Sequence, residues 1–337
     1  MHAHTPRPLA LLAAALSLGC GALPTTRVDP VERWGFTAPW DARSAASVDA
    51  HGSELDALVT GWIPLDSIDG APFTLYRDTV GRAVRTRRMA IVTSFVGRAF
   101  HPDVIRRLAL DSVALRRASS AVAARARSEG YRGLVLDFEG MTSADSGATR
   151  LVVAEMARAA RAAHVAPIVV AVPASDTSGY PARLFDESAD LLLVMLYDQH
   201  WATSPAGSIA APDWARRTLG MRVAERGAAR LVAALPLYGY LWRPNTFAET
   251  IGYDDARRLA TEAGTALARD PATATLHASR PGADGWELWV SDATLVDALQ
   301  REATALGVRK IALWRLGLED GAIWARGAPG YTTINSR

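Results

Sequence analysis

Two carboxylates, Asp137 and Glu139, end the apolar run Gly133-Leu-Val-Leu-Asp-Phe-Glu139. A run this short, continuous and rich in Leu and Val suits a strand buried on both faces. Side chains on a strand alternate, so Val135, Asp137 and Glu139 share one face and Leu134, Leu136 and Phe138 the other. The second set is wholly apolar and suits packing against helices. The first aims two acids inward at the C-terminal end of the strand. Burial and mutual repulsion raise at least one pKa of such a pair, which keeps a proton on it near neutral pH. Protonating a glycosidic oxygen needs an acid of that kind. The same residues also fit a structural pair held by arginines or backbone donors at a strand end.

Other chemistries find few residues to work with. Lys310 is the only lysine, so a phosphate loop of the Walker type has no lysine after its glycines. Schiff-base chemistry would fall on Lys310 alone, at the start of a strand-like run. Neither H-E-x-x-H nor G-x-S-x-G occurs, and His200 has no second histidine at ligand spacing. No metal and no cofactor is therefore expected. The net charge of +2 is too small to argue for nucleic acid, and no basic run is interleaved with aromatics.

Cys20 is the only cysteine, which excludes a disulfide within the chain. It ends the apolar run Leu9–Gly19, preceded by Arg7, and the run is too short to span a bilayer. This pattern is that of a secretory signal, and Leu16-Ser-Leu-Gly-Cys20 is similar to the site at which lipoproteins are acylated. The expectation is an exported protein of the cell envelope, monomeric, touching membrane only through a lipid on Cys20.

The elements that must position the acids follow from the pattern. At 337 residues, 49% hydrophobic and 21% charged, the chain can hold one large domain. Strand-like runs at Gly35–Trp40, Ala57–Ile63, Met89–Phe95, Gly133–Glu139, Pro167–Pro173, Asp190–Tyr197, Arg230–Leu237 and Lys310–Arg315 alternate with helical stretches such as Ser112–Glu129 and Ala148–His164. Eight such units predict a (β/α)8 barrel, although a doubly wound sheet would alternate similarly. The expected organisation is a signal at 1–20, a linker at 21–33, a barrel at 34–326 and a tail at 327–337. A small α+β insertion at about 251–292 separates strands seven and eight. It comprises a helix around Asp254–Ala268 and strands at Ala274–Ala278 and Trp286–Val290.

Several motifs in barrel order resemble glycoside hydrolase family 18. Gly133, Asp137 and Glu139 fall on the glycine, last aspartate and glutamate of its D-G-x-D-x-D-x-E motif. Gly35-Phe-Thr-Ala-Pro-Trp40-Asp41 is similar to its first strand, Leu193-Val-Met195-Leu-Tyr197-Asp198 to its sixth and Leu235-Pro-Leu-Tyr238-Gly-Tyr240 to its seventh. Ala312-Leu-Trp314-Arg-Leu-Gly317 is similar to its eighth. The segments Tyr197-Asp-Gln-His200-Trp201 and Trp314-Arg-Leu-Gly-Leu-Glu319-Asp320 resemble a bacterial subgroup that includes spore-cortex N-acetylglucosaminidases.

The resemblance implies substrate-assisted retaining hydrolysis of glycans containing β-linked N-acetylglucosamine, such as peptidoglycan, chitin-like chains or an exopolysaccharide. Glu139 would be the general acid and then base. Asp137 would orient the substrate's acetamido group, and Tyr197 would donate to its oxygen. Trp314 would floor the pocket, with Trp40, Met195, Asp198, His200 and Tyr238 along the groove. Two positions depart from the pattern: Arg132 replaces its first aspartate and Val135 its middle one, so Asp137 lacks a carboxylate with which to share a proton. A lectin-like barrel that holds acetylated glycans without cutting them is the competing expectation.

Overall fold

The computed structural model describes residues 1–2, 30–78, 80 and 86–325. The expected signal, with Cys20, and the tail at 327–337 therefore fall outside the described residues, apart from the first two positions. Eight parallel strands form the frame: β1 Glu32–Phe36, β2 Ala57–Pro64, β3 Arg87–Thr93, β4 Leu134–Asp137, β5 Ile168–Pro173, β6 Leu191–Met195, β7 Leu231–Pro236 and β8 Lys310–Trp314. Each pairs with its neighbours in chain order, and β8 pairs with β1, so the sheet closes. The (β/α)8 barrel expected from the alternation is the fold.

The strands separate two apolar layers. Inward residues such as Trp34, Val59, Ile91, Val135, Val169 and Leu193 pack together inside the barrel. Outward residues such as Leu134, Leu136, Val170 and Val194 meet the helices. Those helices are α1 Ala42–His51, α2 Pro102–Leu110, α3 Ser112–Ser128, α4 Ser146–Ala162 and α5 Pro212–Arg226, then α6 Tyr253–Glu262 in the insertion and α7 Ala293–Ala305. Asp111 starts α3 by accepting from the amides of Val113 (2.9 Å) and Ala114 (3.0 Å), which are free donors of a first helical turn. Only a short 3-10 turn, Ala182–Phe185, crosses between β5 and β6.

Two boundaries differ from the sequence reading. β1 begins at Glu32, three residues before the expected start at Gly35, and ends at Phe36. Its first residues carry no apolar signal because they are polar and paired: the Glu32 carboxylate accepts from the Trp34 indole (2.8 Å) and from Arg87 (2.5 Å). The insertion begins at Gly239, not near 251. It is a five-stranded antiparallel sheet in the order Glu249–Ile251, Gly239–Trp242, Trp286–Val290, Leu276–Arg280 and Ala268–Arg269, with α6 against it. Three of these strands have two to four residues, too few to show a period. Gly239 is required where the sheet leaves β7, since a Cβ there would lie 2.0 Å from the carbonyl oxygen of Trp289.

Candidate active site

Parallel strands bring their C-terminal ends to one mouth, and the alternation of each strand carries into the loop beyond it. Asp137 is the last residue of β4 and Glu139 lies two residues on. Met195 ends β6 and Tyr197 follows two residues later. Trp314 ends β8, and Tyr238 lies two residues past the end of β7. All six line one cavity of about 440 Å³, together with Trp40 at its rim and Asp198. Val135, on the same face of β4 as Asp137, also lines the cavity and is fully buried.

The floor and walls are aromatic. Trp314 meets Phe36 edge-on with centroids 5.5 Å apart, Trp62 at 6.4 Å and Tyr197 nearly parallel at 6.4 Å. Trp40 stands against Trp62 at 4.8 Å and is half exposed. It also meets Tyr76, with centroids 5.4 Å apart, and Arg315, whose guanidinium lies 5.9 Å from the ring and donates to Asp41 at 2.9 Å.

Thr93, buried at the end of β3, is the register partner of Asp137 and donates to Asp137 Oδ2 at 3.2 Å. The Thr93 hydroxyl in turn accepts from the amide of Phe95 at 3.0 Å, which fixes its direction. Asp137 Oδ1 is buried with no hydrogen-bond partner. Burial raises the pKa of Asp137, and the single Thr93 bond offsets only part of this. Burial also raises Glu139 well above the usual carboxylate range, helped by the charges of Asp137 and Asp198. Asp198 faces the open mouth in a left-handed backbone conformation (φ 58°). It accepts from the phenols of Tyr238 and Tyr240, the latter at 3.2 Å. The crowded walls push its pKa up while the two phenols pull it down. Tyr197 is raised far above its ordinary value by burial and then by Glu139, so it remains a neutral donor. Three acids and three phenols thus share one cavity whose only lining cation among the described residues is Arg315, already committed to Asp41. Such a site favours the protonated form of Glu139.

The backbone around Glu139 is fixed from a distance. The buried Tyr180 phenol donates to the Phe138 carbonyl at 2.8 Å and accepts from the Met141 amide at 3.0 Å, bracketing Glu139 and Gly140. Arg222 of α5, fully buried, holds the Tyr180 carbonyl at 2.8 Å and the carbonyls of Pro173 and Asp176, both at 2.7 Å. The turn that presents the acid therefore rests on α5 through a phenol.

Of the residues singled out from sequence, the cavity brings together Asp137, Glu139, Tyr197, Trp314, Trp40, Met195, Asp198 and Tyr238. His200 is not among its lining residues. The His200 ring packs over Gly207, and Nδ1 lies 3.0 Å from the Pro205 carbonyl, so it shapes the loop after β6. Sequence reasoning missed Thr93, Trp62, Tyr180, Tyr240 and Arg315. Thr93 could have been sought as the last residue of the strand preceding β4, and Tyr240 as the second of two alternate tyrosines. Among the described residues, no cluster of histidine, cysteine and carboxylate side chains could hold a metal ion.

No family model matches the chain. The cortical fragment-lytic enzyme of Bacillus subtilis is 24% identical over 272 residues, covering 75% of this chain and 62% of that protein. The chain spans less than two thirds of the length of the curated relatives it matches. The spore cortex-lytic enzyme SleL of Bacillus megaterium superposes with a TM-score of 0.77 at 17% identity, covering 90% of this chain and 74% of that one. A chitinase of Chromobacterium violaceum superposes with a TM-score of 0.75 at 21% identity, covering 91% and 100%. The chain thus has the barrel fold of chitinases and spore cortex-lytic enzymes, and its motifs resemble those of glycoside hydrolase family 18.

Proposed function

We propose that the protein is a glycosidase that cleaves β-linked N-acetylglucosamine glycans, peptidoglycan or chitin-like chains, by substrate-assisted retaining catalysis. The supporting observation is the convergence of Asp137, Glu139 and Tyr197 on one cavity floored by Trp314. In this reading Glu139 enters protonated and gives its proton to the glycosidic oxygen. The acetamido oxygen of the bound sugar attacks the anomeric carbon as the bond to the leaving sugar breaks, and an oxazolinium ion forms. Glu139, now a carboxylate, takes a proton from the water that opens this ion with retention. No protein nucleophile is needed. The negative charge of Asp137 offsets the cation developing on the acetamide nitrogen, and the Tyr197 phenol donates to the attacking oxygen. Trp314 offers a flat apolar face to the sugar ring.

Hydrolysis of a chromogenic chitobioside and of purified peptidoglycan tests this reading. Glu139→Gln should lower kcat by about 1000-fold, within the range for loss of a general acid, while calorimetry shows the glycan still bound. Full turnover by the variant would overturn the proposal. Binding without turnover in both proteins would instead identify a lectin-like barrel, the reading favoured by the valine at position 135. From the N-terminal residues alone we also infer export, with acylation at Cys20. Labelled fatty acid should enter the wild-type protein and not Cys20→Ala, and equal labelling would refute the anchor.

A further inference from the structure

β2 carries one residue more than its partner. Its pairing with β3 runs from Ala57 to Val59 against Arg87 to Met89 and resumes at Gly61 against Ala90, so Thr60 is skipped. Bulges are rare between parallel strands, and one that persists needs something to hold it. The side chains show what the extra residue does. Ala57 and Val59 point into the barrel and Leu58 outward, in strict alternation. Thr60 and Gly61 then both face outward. The Thr60 hydroxyl and the Tyr131 phenol meet on one carboxylate, and a Cβ on Gly61 would lie 2.3 Å from the ring of Tyr131, a residue of the outer layer. Alternation resumes with Trp62 inward and Ile63 outward.

That carboxylate belongs to Asp78, in the connection between β2 and β3, and its side chain is only 4% exposed. Asp78 Oδ2 accepts from Thr60 Oγ1 at 2.6 Å and from the Tyr131 phenol at 2.8 Å, with the Arg88 guanidinium 3.6 Å away. Its Oδ1 accepts from the Val80 amide at 3.0 Å. A buried carboxylate is costly unless donors surround it, and donors on both oxygens fix its position. Arg88 and Tyr131 also brace each other, the guanidinium lying 4.9 Å from the ring centroid. The node is a rigid post outside the barrel, and the residue of β2 that it holds is the extra one.

The beneficiary on the inner face is Trp62. Its ring lines the catalytic cavity, 4.8 Å from Trp40 and 6.4 Å from Trp314, and its indole donates to the Thr37 carbonyl at 3.1 Å. Without the extra residue, alternation would turn Gly61 into the barrel and Trp62 out among the helices. We propose that Asp78 and Thr60 are positioning residues for the catalytic cavity: their hydrogen bond holds the bulge and so keeps Trp62 turned into the wall that meets substrate. Neither residue lines the cavity itself. The inference rests on the proposed glycosidase activity, for which Trp62 is a wall of the sugar site.

Thr60→Val removes the hydroxyl at nearly constant shape, and Thr60→Ser keeps it. With a positioning role, Thr60→Val raises KM for a chromogenic chitobioside about tenfold with kcat within about threefold, because Glu139, Asp137 and Tyr197 stay in place. Thr60→Ser restores most of that loss. In a Trp62→Ala background, Thr60→Val moves KM by less than about twofold, since its effect passes through the missing ring. A bond that serves stability alone would lower the thermal midpoint and leave KM where it was. An unchanged KM in folded Thr60→Val, or an equal rise with and without Trp62, would overturn the proposal. Should Thr60→Val not fold, Asp78→Asn weakens the same bond from its other end and is read in the same assays. Fluorine NMR of fluorotryptophan-labelled protein needs no substrate. The Trp62 resonance, assigned by its loss in Trp62→Phe, should shift or broaden in Thr60→Val and Asp78→Asn and hold its place in Thr60→Ser; an unmoved resonance in all three overturns the proposal. If wild type hydrolyses no glycan, the glycosidase reading fails on its own, and the Trp62 resonance still decides what holds the bulge.

Discussion

Tyr180→Phe removes one oxygen and leaves the ring in place. That oxygen ties the turn carrying Glu139 to the loop anchored by Arg222, bonded to Phe138 at 2.8 Å and Met141 at 3.0 Å. With Tyr180 only 2% exposed, water cannot readily replace it, so a backbone carbonyl and a backbone amide lose their partner together. Each buried group so stranded costs about 1–3 kcal/mol, and the variant should lose at least about 2 kcal/mol in urea unfolding. The larger consequence is for catalysis. Once released, the turn lets the Glu139 carboxyl drift, and displacement of a catalytic group by about 1 Å costs on the order of 100-fold in rate. We expect kcat on the chitobioside to fall about 10- to 100-fold with KM within threefold, since the aromatic rings lining the cavity are untouched. Unchanged kcat alongside lost stability would refute the positioning argument and leave Tyr180 a packing residue. Unchanged stability would show that the two bonds carry no load.

Asp137 should destabilise the fold as its charge appears. Burial raises its pKa from 3.8 to about 7, so the folded state holds a proton that the unfolded state has lost across that window. Its penalty is absent below pH 4, grows with pH and is complete above pH 7. Asp137→Asn should therefore be more stable than wild type by about 4 kcal/mol at pH 8 and little more stable at pH 4, while losing nearly all turnover; equal gains at both pH values would contradict this. Gly239→Ala should destabilise by about 2 kcal/mol or more in thermal unfolding, because the new Cβ meets the Trp289 carbonyl rather than a movable side chain, and a neutral result would show that the insertion can shift.

The parity of β4 was legible in sequence because nothing interrupts it: Val135 lies in the barrel interior and Leu134 and Leu136 in the outer layer, as their spacing requires. β2 shows where such reasoning stops. Its register shifts between Val59 and Gly61, so Ala57 and Val59 point inward and then Trp62, three residues on, does so too. Strict alternation would have turned that tryptophan outward and hidden a wall of the cavity. Register between strands is also invisible in one sequence, which is why Thr93 was not linked to Asp137 although each ends its strand. The Tyr180 clamp joins residues 42 apart through a side chain and a carbonyl, a contact with no periodic signature. His200 illustrates the opposite error. Proximity to Tyr197 and Asp198 in the chain suggested the groove, but its ring turns to the Pro205 carbonyl.

The insertion leaves β7 after only two residues, Leu237 and Tyr238, and returns its chain to the barrel at β8. The strand that carries Tyr240 and Trp242 is thus bonded on one edge to Glu249–Ile251 and on the other to Trp286–Val290, both outside the frame that holds the acids. The rings of Tyr240 and Trp242 are consequently carried by a sheet distinct from the barrel that holds the acids, although the Tyr240 phenol still reaches Asp198. Lengthening, shortening or exchanging the turn between Trp242 and Glu249 would therefore alter the outer edge of the insertion while leaving the strands that carry Asp137 and Met195 as they are.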